Sequence, residues 1–465
     1  MAADFATSLR DALGDDIIAL GDAIDARFWH DWSGLPPVQP LALARPRSTE
    51  QVSAVLKLCH AAGVAVVPQG GLTGLAGGAQ PVAGGVVLSL ERMRGIEEID
   101  PVMATMTVLA GTPLIDIQQA AEAADLFFAL DLGARGSCAI GGNLATNAGG
   151  NRVIRYGMAR EQVLGLEVVL PDGTVIRSLN KMLKNNAAYD LKQLFIGSEG
   201  TLGVITRAVL RLQARPTEFA TAFCACADFP GVLALLQSTR AKLGPALSSF
   251  EVMWPSFYDF MTAGVPSLRR PFSVAHGAYV LIEASGFAGG NEAARLEACI
   301  ANLLEQGLVQ DAVVAASEQD VRDLWAVRES VTEYGRLMGP LTAFDVSLPT
   351  TAIGAAVERL EPELAARWPG VVALSYGHIG DSNLHLVIHV PSAGAHQPHD
   401  EICDLVYGVV RDAGGSISAE HGIGLLKKPY LGYSRSPAEL ALMATLKAAI
   451  DPGNILNPGK VLTRE

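Results

Sequence analysis

Residues 58–90 form a run with no Asp, Glu, Lys or Arg, the kind of stretch whose apolar parts are buried. It is longer than the ~20 apolar residues that cross a bilayer, which leaves two choices, a membrane span or a buried core. Eight glycines and two prolines decide between them. They would break a lipid-exposed helix, through backbone entropy and missing N–H donors. The run therefore reads as a buried strand at Val64–Val67, a Gly-rich loop, and a second buried strand over Gly84-Gly85-Val86-Val87-Leu88-Ser89-Leu90.

Composition narrows the class. The chain has 465 residues, enough for two or three domains at roughly 100–200 residues each. At 49% hydrophobic residues it is not a disordered chain. Lys+Arg 35 against Asp+Glu 48 gives a net charge of -13, which argues against a nucleic-acid surface and against attraction to anionic lipid. Cys59, Cys138, Cys224, Cys226, Cys299 and Cys403 form no CxxC pair, so neither a zinc finger nor a disulfide scaffold is expected. The opening MAADFATSLRDALGDD lacks a basic or apolar leader pattern, and a reduced, cytoplasmic protein is the expectation.

Periodicity gives an α+β fold. Up to about residue 214, helices at 49–63 and over PLIDIQQAAEAADL alternate with strands. EQVLGLEVVLPDGTVIRSL reads as two strands joined by a turn at Pro171-Asp172-Gly173. A boundary is expected at Arg215-Pro216. Beyond it, ATAFCACA and AYVLIEAS read as strands, each followed by a helix, which predicts a sheet covered by helices on one face. Ser436-Pro437-Ala438-Glu439 combines an N-cap, a first-position proline and a third-position glutamate, starting a helix that Asp451-Pro452 ends.

Neither GxGxxG nor GxxxxGK[ST] occurs, so the common nucleotide fingerprints are missing. Three glycine clusters stand out instead, at 68–81, 132–157 and 197–206. Such loops can turn backbone N–H groups together toward anionic oxygens without Lys or Arg; they can equally be tight turns between strands. Six of nine histidines, His378, His385, His389, His396, His399 and His421, fall in one later stretch. On a strand beginning near Leu384, His385, Val387 and His389 share a face. Two imidazoles and a carboxylate make a typical zinc site with open positions, although spacing alone leaves an ordinary structural role equally open. His389 lies about 13 Å along the strand from His385 at ~3.3 Å per residue and reads as structural, while His396 and His399 read as solvated loop residues.

PQGGLTGLAGG, the run Gly136-Ser137-Cys138 through Gly149-Gly150, and Gly-Ser-Glu-Gly-Thr-Leu-Gly at 197–203 resemble the flavoenzyme superfamily of vanillyl-alcohol oxidase and p-cresol methylhydroxylase. Within it, the likeness is strongest to the D-2-hydroxyglutarate and D-lactate dehydrogenase families and extends from about Trp32 to the closing ILNPGKVL. The resemblance implies a two-subdomain FAD-binding domain of the p-cresol methylhydroxylase type at 1–216. It also implies an α+β substrate domain with an antiparallel sheet at 217–425, and a short helical segment at 426–465 that returns to the FAD domain. It assigns FAD contacts to Pro68, Gly70, Gly71, Leu72, Thr73, Gly74, Leu75, Gly77 and Gly78 in the first loop. In the second loop they are Leu132, Gly133, Gly136, Ser137, Cys138, Gly141, Gly142, Asn143, Thr146, Asn147, Gly149 and Gly150. Gly200, Gly203 and Ile205 are placed near the adenine, and Asn457 is shared between a turn role and a flavin contact. The first loop has no histidine, so the flavin is expected to be non-covalent.

The same resemblance implies His378, His385 and Glu420 as ligands of a divalent metal, zinc by its donor set, and His421 as general base. DLWAVRESVTEYG reads as one helix with Arg328 and Thr332 on one face, and the resemblance implies that this pair binds the substrate carboxylate. The expected reaction is oxidation of a D-2-hydroxy acid by hydride transfer to flavin. Electrons would leave for electron-transfer flavoprotein or a quinone-linked carrier, and a homodimer is among the assemblies allowed. Two positions depart from the hydroxyglutarate pattern: Ala343 stands where a lysine is usual and Val387 where an asparagine is. The expectation is therefore a D-lactate-like or other apolar substrate, with D-2-hydroxyglutarate or D-malate as the dicarboxylate case. The other readings are a flavin subunit of a glycolate-oxidase-type complex and, in a different class, a metal-dependent hydrolase.

Overall fold

A computed structural model of the chain describes residues 2–463. They form two units that interleave along the chain. The first comprises 1–150, 157–215 and 420–465, and the second 151–156 and 216–419. Residues 420–425 thus group with the first unit rather than with the substrate domain.

In the first unit the uncharged run folds as its glycines require. Val66–Gln69 and Val86–Ser89 are buried parallel strands, and Ala42–Ala44 and Ile18–Ala19 complete a four-stranded sheet. Helix Thr49–Ala62 precedes Val66–Gln69; Ser48 caps its start and Gly63, at φ 63°, ends it. A second sheet of five antiparallel strands runs Ile96–Asp100, Thr105–Leu109, Val204–Arg211, Val163–Val169, Val175–Ser178. The two strands flanking the Pro-Asp-Gly turn pair as expected. The returning segment carries helix Pro437–Ile450, which begins with a complete capping box between Ser436 and Glu439 and ends at Asp451. There Lys447 donates to Asp451 and to the carbonyls of Thr201 and Leu456, fastening the segment to the five-stranded sheet's entry turn.

The second unit is built on a seven-stranded antiparallel sheet in the order Asp311–Val314, Glu218–Cys226, Ala278–Gly286, Leu247–Met253, Val372–His378, Asn383–His389, Thr342–Ser347. Helices cover both faces, not one. Phe229–Leu243 lies against Cys226, since a Cβ on Gly231 would sit 3.4 Å from the Cys226 Cβ. Pro255–Gly264 and Glu318–Glu329 pack with Phe223, Tyr279, Tyr376 and Val387 on the alternate face. The helices Pro255–Gly264 and Glu318–Glu329 make the difference.

All six cysteines are buried and none forms a disulfide, and burial pushes the thiols of Cys59 and Cys226 up to about 12. Among the described residues no helix is long and apolar enough to cross a membrane.

One buried acid is a stringent test of the first unit's packing. Glu167, fully buried, accepts hydrogen bonds from Thr49 Oγ1 at 2.5 Å, Arg207 Nη1 at 2.6 Å and Arg177 Nε at 2.5 Å. Burial pushes its carboxyl upward, but these donors outweigh it and hold the group below the usual carboxylate range. The unfolded chain therefore takes up the proton first on acidification, so the contribution is complete above the ordinary glutamate range and is lost as pH falls through the depressed folded value. Glu167→Gln should lower unfolding free energy by about 1–3 kcal/mol in urea titrations at neutral pH, and by less in acid.

Candidate active site

Strand register gathers the polar groups of the second unit on one sheet face. Glu251 stands opposite His378, His385 stands opposite both Tyr376 and Asp345, and paired residues share a face. The His378 and His385 rings meet edge-on, 5.2 Å between centroids at 81°, and each offers a ring nitrogen within 4.8 Å of the other. His385 Nδ1 lies 3.9 Å from Asp345 Oδ1.

Glu251 is the hub of this face. It is fully buried, and its two oxygens accept from His378 Nδ1 at 2.7 Å and Arg328 Nε at 2.8 Å. Because a carboxylate only accepts, the His378 proton sits on Nδ1, and a metal would take Nε2. Arg328 Nη2 lies 3.3 Å from that Nε2, and its guanidinium sits 4.7 Å over the Tyr376 ring. Burial alone would raise the Glu251 carboxyl; the electrostatic pull and hydrogen bonds of His378 and Arg328 outweigh it and hold the group low. Burial would lower Arg328, but Glu251 overrides that and holds its pKa up.

Several sequence expectations need correction here. Helix Glu318–Glu329 ends before Thr332, which lies exposed in the 3-10 turn Ser330–Glu333; the changed helical pitch separates it from the buried Arg328. His399 is exposed as expected but opens helix His399–Asp412 rather than lying in a loop, with its ring 3.3 Å from Thr342 Oγ1. His389 is buried at 2.6 Å from the Pro340 carbonyl, a structural contact, and His396 is exposed. Val387 is buried between Leu374 and Ala343 in register, on the His385 face. Glu251 itself was missed. Its signal is one acid inside the otherwise uncharged strand Leu247–Met253.

The first unit supplies the glycine loops, whose geometry fits a large ligand lying against bare backbone. A Cβ on Gly71 would collide with the Ser137 carbonyl, so the first and second loops touch backbone to backbone. A Cβ on Gly133, Gly136 or Gly142 would meet no atom within 4 Å, while Leu72 and Asn147 hold positive φ of 62° and 51°. Asn143 Oδ1 and Asn457 Oδ1 are buried without a hydrogen-bond partner among the described residues. Asn457 donates to the Gly78 and Glu199 carbonyls at 2.8 and 2.7 Å. Gly141 and Gly203 are accounted for by packing, against Ala110 and against Val168 with Phe195. Glu420 accepts from the Gly150 N–H and fills the space beside Gly149.

Comparison with known proteins agrees with both units. The family model described as FAD binding domain matches residues 40–178, and that described as FAD linked oxidases, C-terminal domain matches 215–461. The chain belongs to the D-2-hydroxyacid dehydrogenases of the FAD-linked oxidase family. It is 40% identical to the mitochondrial D-2-hydroxyglutarate dehydrogenase of Bos taurus, covering 96% of this chain and 83% of that protein. With the D-2-hydroxyglutarate dehydrogenase of Xanthomonas citri pv. viticola it shares 41%, over 93% and 92%. Among solved structures, p-cresol methylhydroxylase with substrate bound superposes with a TM-score of 0.78 at 16% identity, covering 98% of this chain and 96% of that one. This dehydrogenase therefore has the p-cresol methylhydroxylase fold, and the metal-dependent hydrolase reading gives way to a flavoenzyme.

Two outcomes test the geometry. Glu251→Gln should lower metal content or kcat/KM by about 10–100-fold, the usual effect of removing a group that orients a ligating histidine, read by elemental analysis and steady-state kinetics. Gly71→Ala should purify with a reduced ratio of flavin to protein absorbance, because the added methyl separates the two loops.

Proposed function

We propose that this dehydrogenase oxidises a D-2-hydroxy acid to the 2-oxo acid, with His378 and His385 holding a divalent metal and Glu420 as its third protein ligand. The observation that carries the reading is the paired imidazoles of His378 and His385, one oriented by Glu251, beside the buried Arg328. Two imidazoles and a carboxylate suit zinc better than an oxygen-preferring ion such as magnesium. When bound, the flavin supplies a hydride acceptor and the metal ion lowers the pKa of the substrate hydroxyl.

The chain's own residues do the rest. Arg328, braced through Nε by Glu251, binds the substrate carboxylate with its Nη edge. His421 accepts the hydroxyl proton on a ring nitrogen. The glycine loops of the first unit hold a non-covalent FAD with backbone N–H groups. Reoxidation by electron-transfer flavoprotein or a quinone-linked carrier belongs to the same proposal.

Val387, Leu374 and Ala343 form an apolar row beside His385, which supports a substrate with a short or apolar side chain. A second reading, D-2-hydroxyglutarate, is supported by the names of the relatives at 40–41% identity. Stopped-flow bleaching of the flavin with D- and L-lactate, D-2-hydroxybutyrate, D-malate and D-2-hydroxyglutarate separates the two. A kcat/KM at least about tenfold higher for the monocarboxylates is expected; dominance of the dicarboxylates would establish the second reading. Verified removal of metal by a chelator should abolish bleaching by every substrate, and bleaching that persists would end the assignment of His378, His385 and Glu420.

A further inference from the structure

Glu199 is an acid for which the reading above has no use. It lies in the third glycine loop at a positive φ of 51°, and only 9% of its surface is exposed. Burying a carboxylate is costly unless its oxygens are fully engaged. Here Oε1 accepts the Ile423 N–H at 2.7 Å and Oε2 the Gly424 N–H at 2.8 Å. These two amides begin two residues after His421.

The surroundings are shaped to the carboxylate. A Cβ on Gly422, already at φ 76°, would stand 2.8 Å from Oε1, and one on Gly78 would stand 3.2 Å from Oε2. Gly424 approaches the Ala76 carbonyl too closely for any side chain, and that same carbonyl accepts from Leu425 N at 2.8 Å. Behind the carboxylate, the Glu199 carbonyl accepts from Asn457, and the Glu199 N–H donates to the Ala145 carbonyl at 2.8 Å. On the other side of His421, Glu420 is held by the Gly150 N–H. His421 is therefore bracketed, with its preceding residue fastened to the second glycine loop and its following turn fastened by Glu199.

We propose that Glu199 is a positioning residue that fixes the turn at 422–424 and thereby sets where His421 and Glu420 stand on the FAD-binding unit. The inference rests on His421 as general base and Glu420 as ligand. Burial raises the Glu199 carboxyl, against the pull of the Ile423 and Gly424 amides and of the Lys427 charge, which is the cost a purely solvated loop would avoid. A base displaced by about 1 Å can lose on the order of 100-fold in rate while substrate affinity is untouched.

The test compares the parent holoenzyme with Glu199→Ala, Glu199→Gln, Gly422→Ala and His421→Asn. Each is read by flavin absorbance, by kcat and KM across pH, and by amide hydrogen exchange of residues 420–426. Glu199→Ala and Gly422→Ala should keep flavin content and KM, lower kcat about 100-fold, and lose exchange protection at Ile423 and Gly424. Glu199→Gln retains one acceptor oxygen and should fall between them and the parent; it carries the test if Glu199→Ala does not fold. Lost protection with kcat within about twofold of the parent would overturn the positioning role, and so would loss of flavin in proportion to kcat. If His421→Asn is inactive while the Glu199 and Gly422 variants match the parent, only the positioning role fails. If His421→Asn keeps the parent's kcat, the base assignment fails and takes the positioning role with it.

Discussion

A carboxylate taken out of water has to find donors for both oxygens, and in this chain that requirement organises each unit. In the second, Glu251 sits under the sheet face with His378 on one oxygen and Arg328 on the other. In the first, Glu199 receives two consecutive amides of the returning segment, and Glu167 ties a helix start to two strands. Removing one partner from such a set leaves the other charge stranded at low dielectric, which is why buried pairs are unforgiving of substitution. Glu251 fixes His378 and Arg328, and Glu199 fixes the turn that follows His421, whereas Glu167 serves packing alone.

Much of the architecture could be read from local patterns. The uncharged run with its glycines foretold two buried strands and a loop, and the Ser436–Glu439 box foretold a helix start. The clustered histidines foretold the His378–His385 pair. What could not be read depends on register between distant strands. Glu251 and His378 are 127 positions apart, and no periodicity within either segment announces that they face each other. Thr332 was misplaced for the opposite reason: the sequence gives no local mark of an α-helix tightening to a 3-10 turn after Glu329. The second layer of helices on the sheet is not legible locally: the helix around Arg328 shows in its periodicity, but nothing within it or within Pro255–Gly264 says which sheet face it covers.

The glycine loops show how an acidic protein can be suited to a negatively charged cofactor. Open space beside Gly133, Gly136 and Gly142 and loop-to-loop contact at Gly71 leave backbone, and no cationic side chain, where a ligand can approach closely. Such a lining adds no positive patch to a chain of net charge -13.

The interleaved chain carries a consequence for biosynthesis. Residues 420–465 complete the first unit, and the Val66 strand receives its bridge to Leu456 and the Thr201 carbonyl its Lys447 donor only from that segment. A ribosome makes most of the first unit early and residues 420–465 last, with all of the second unit but residues 151–156 emerging in between. The half of the protein translated first is thus the last to mature, and a nascent chain stalled anywhere before residue 447 would display an unfinished sheet to chaperones.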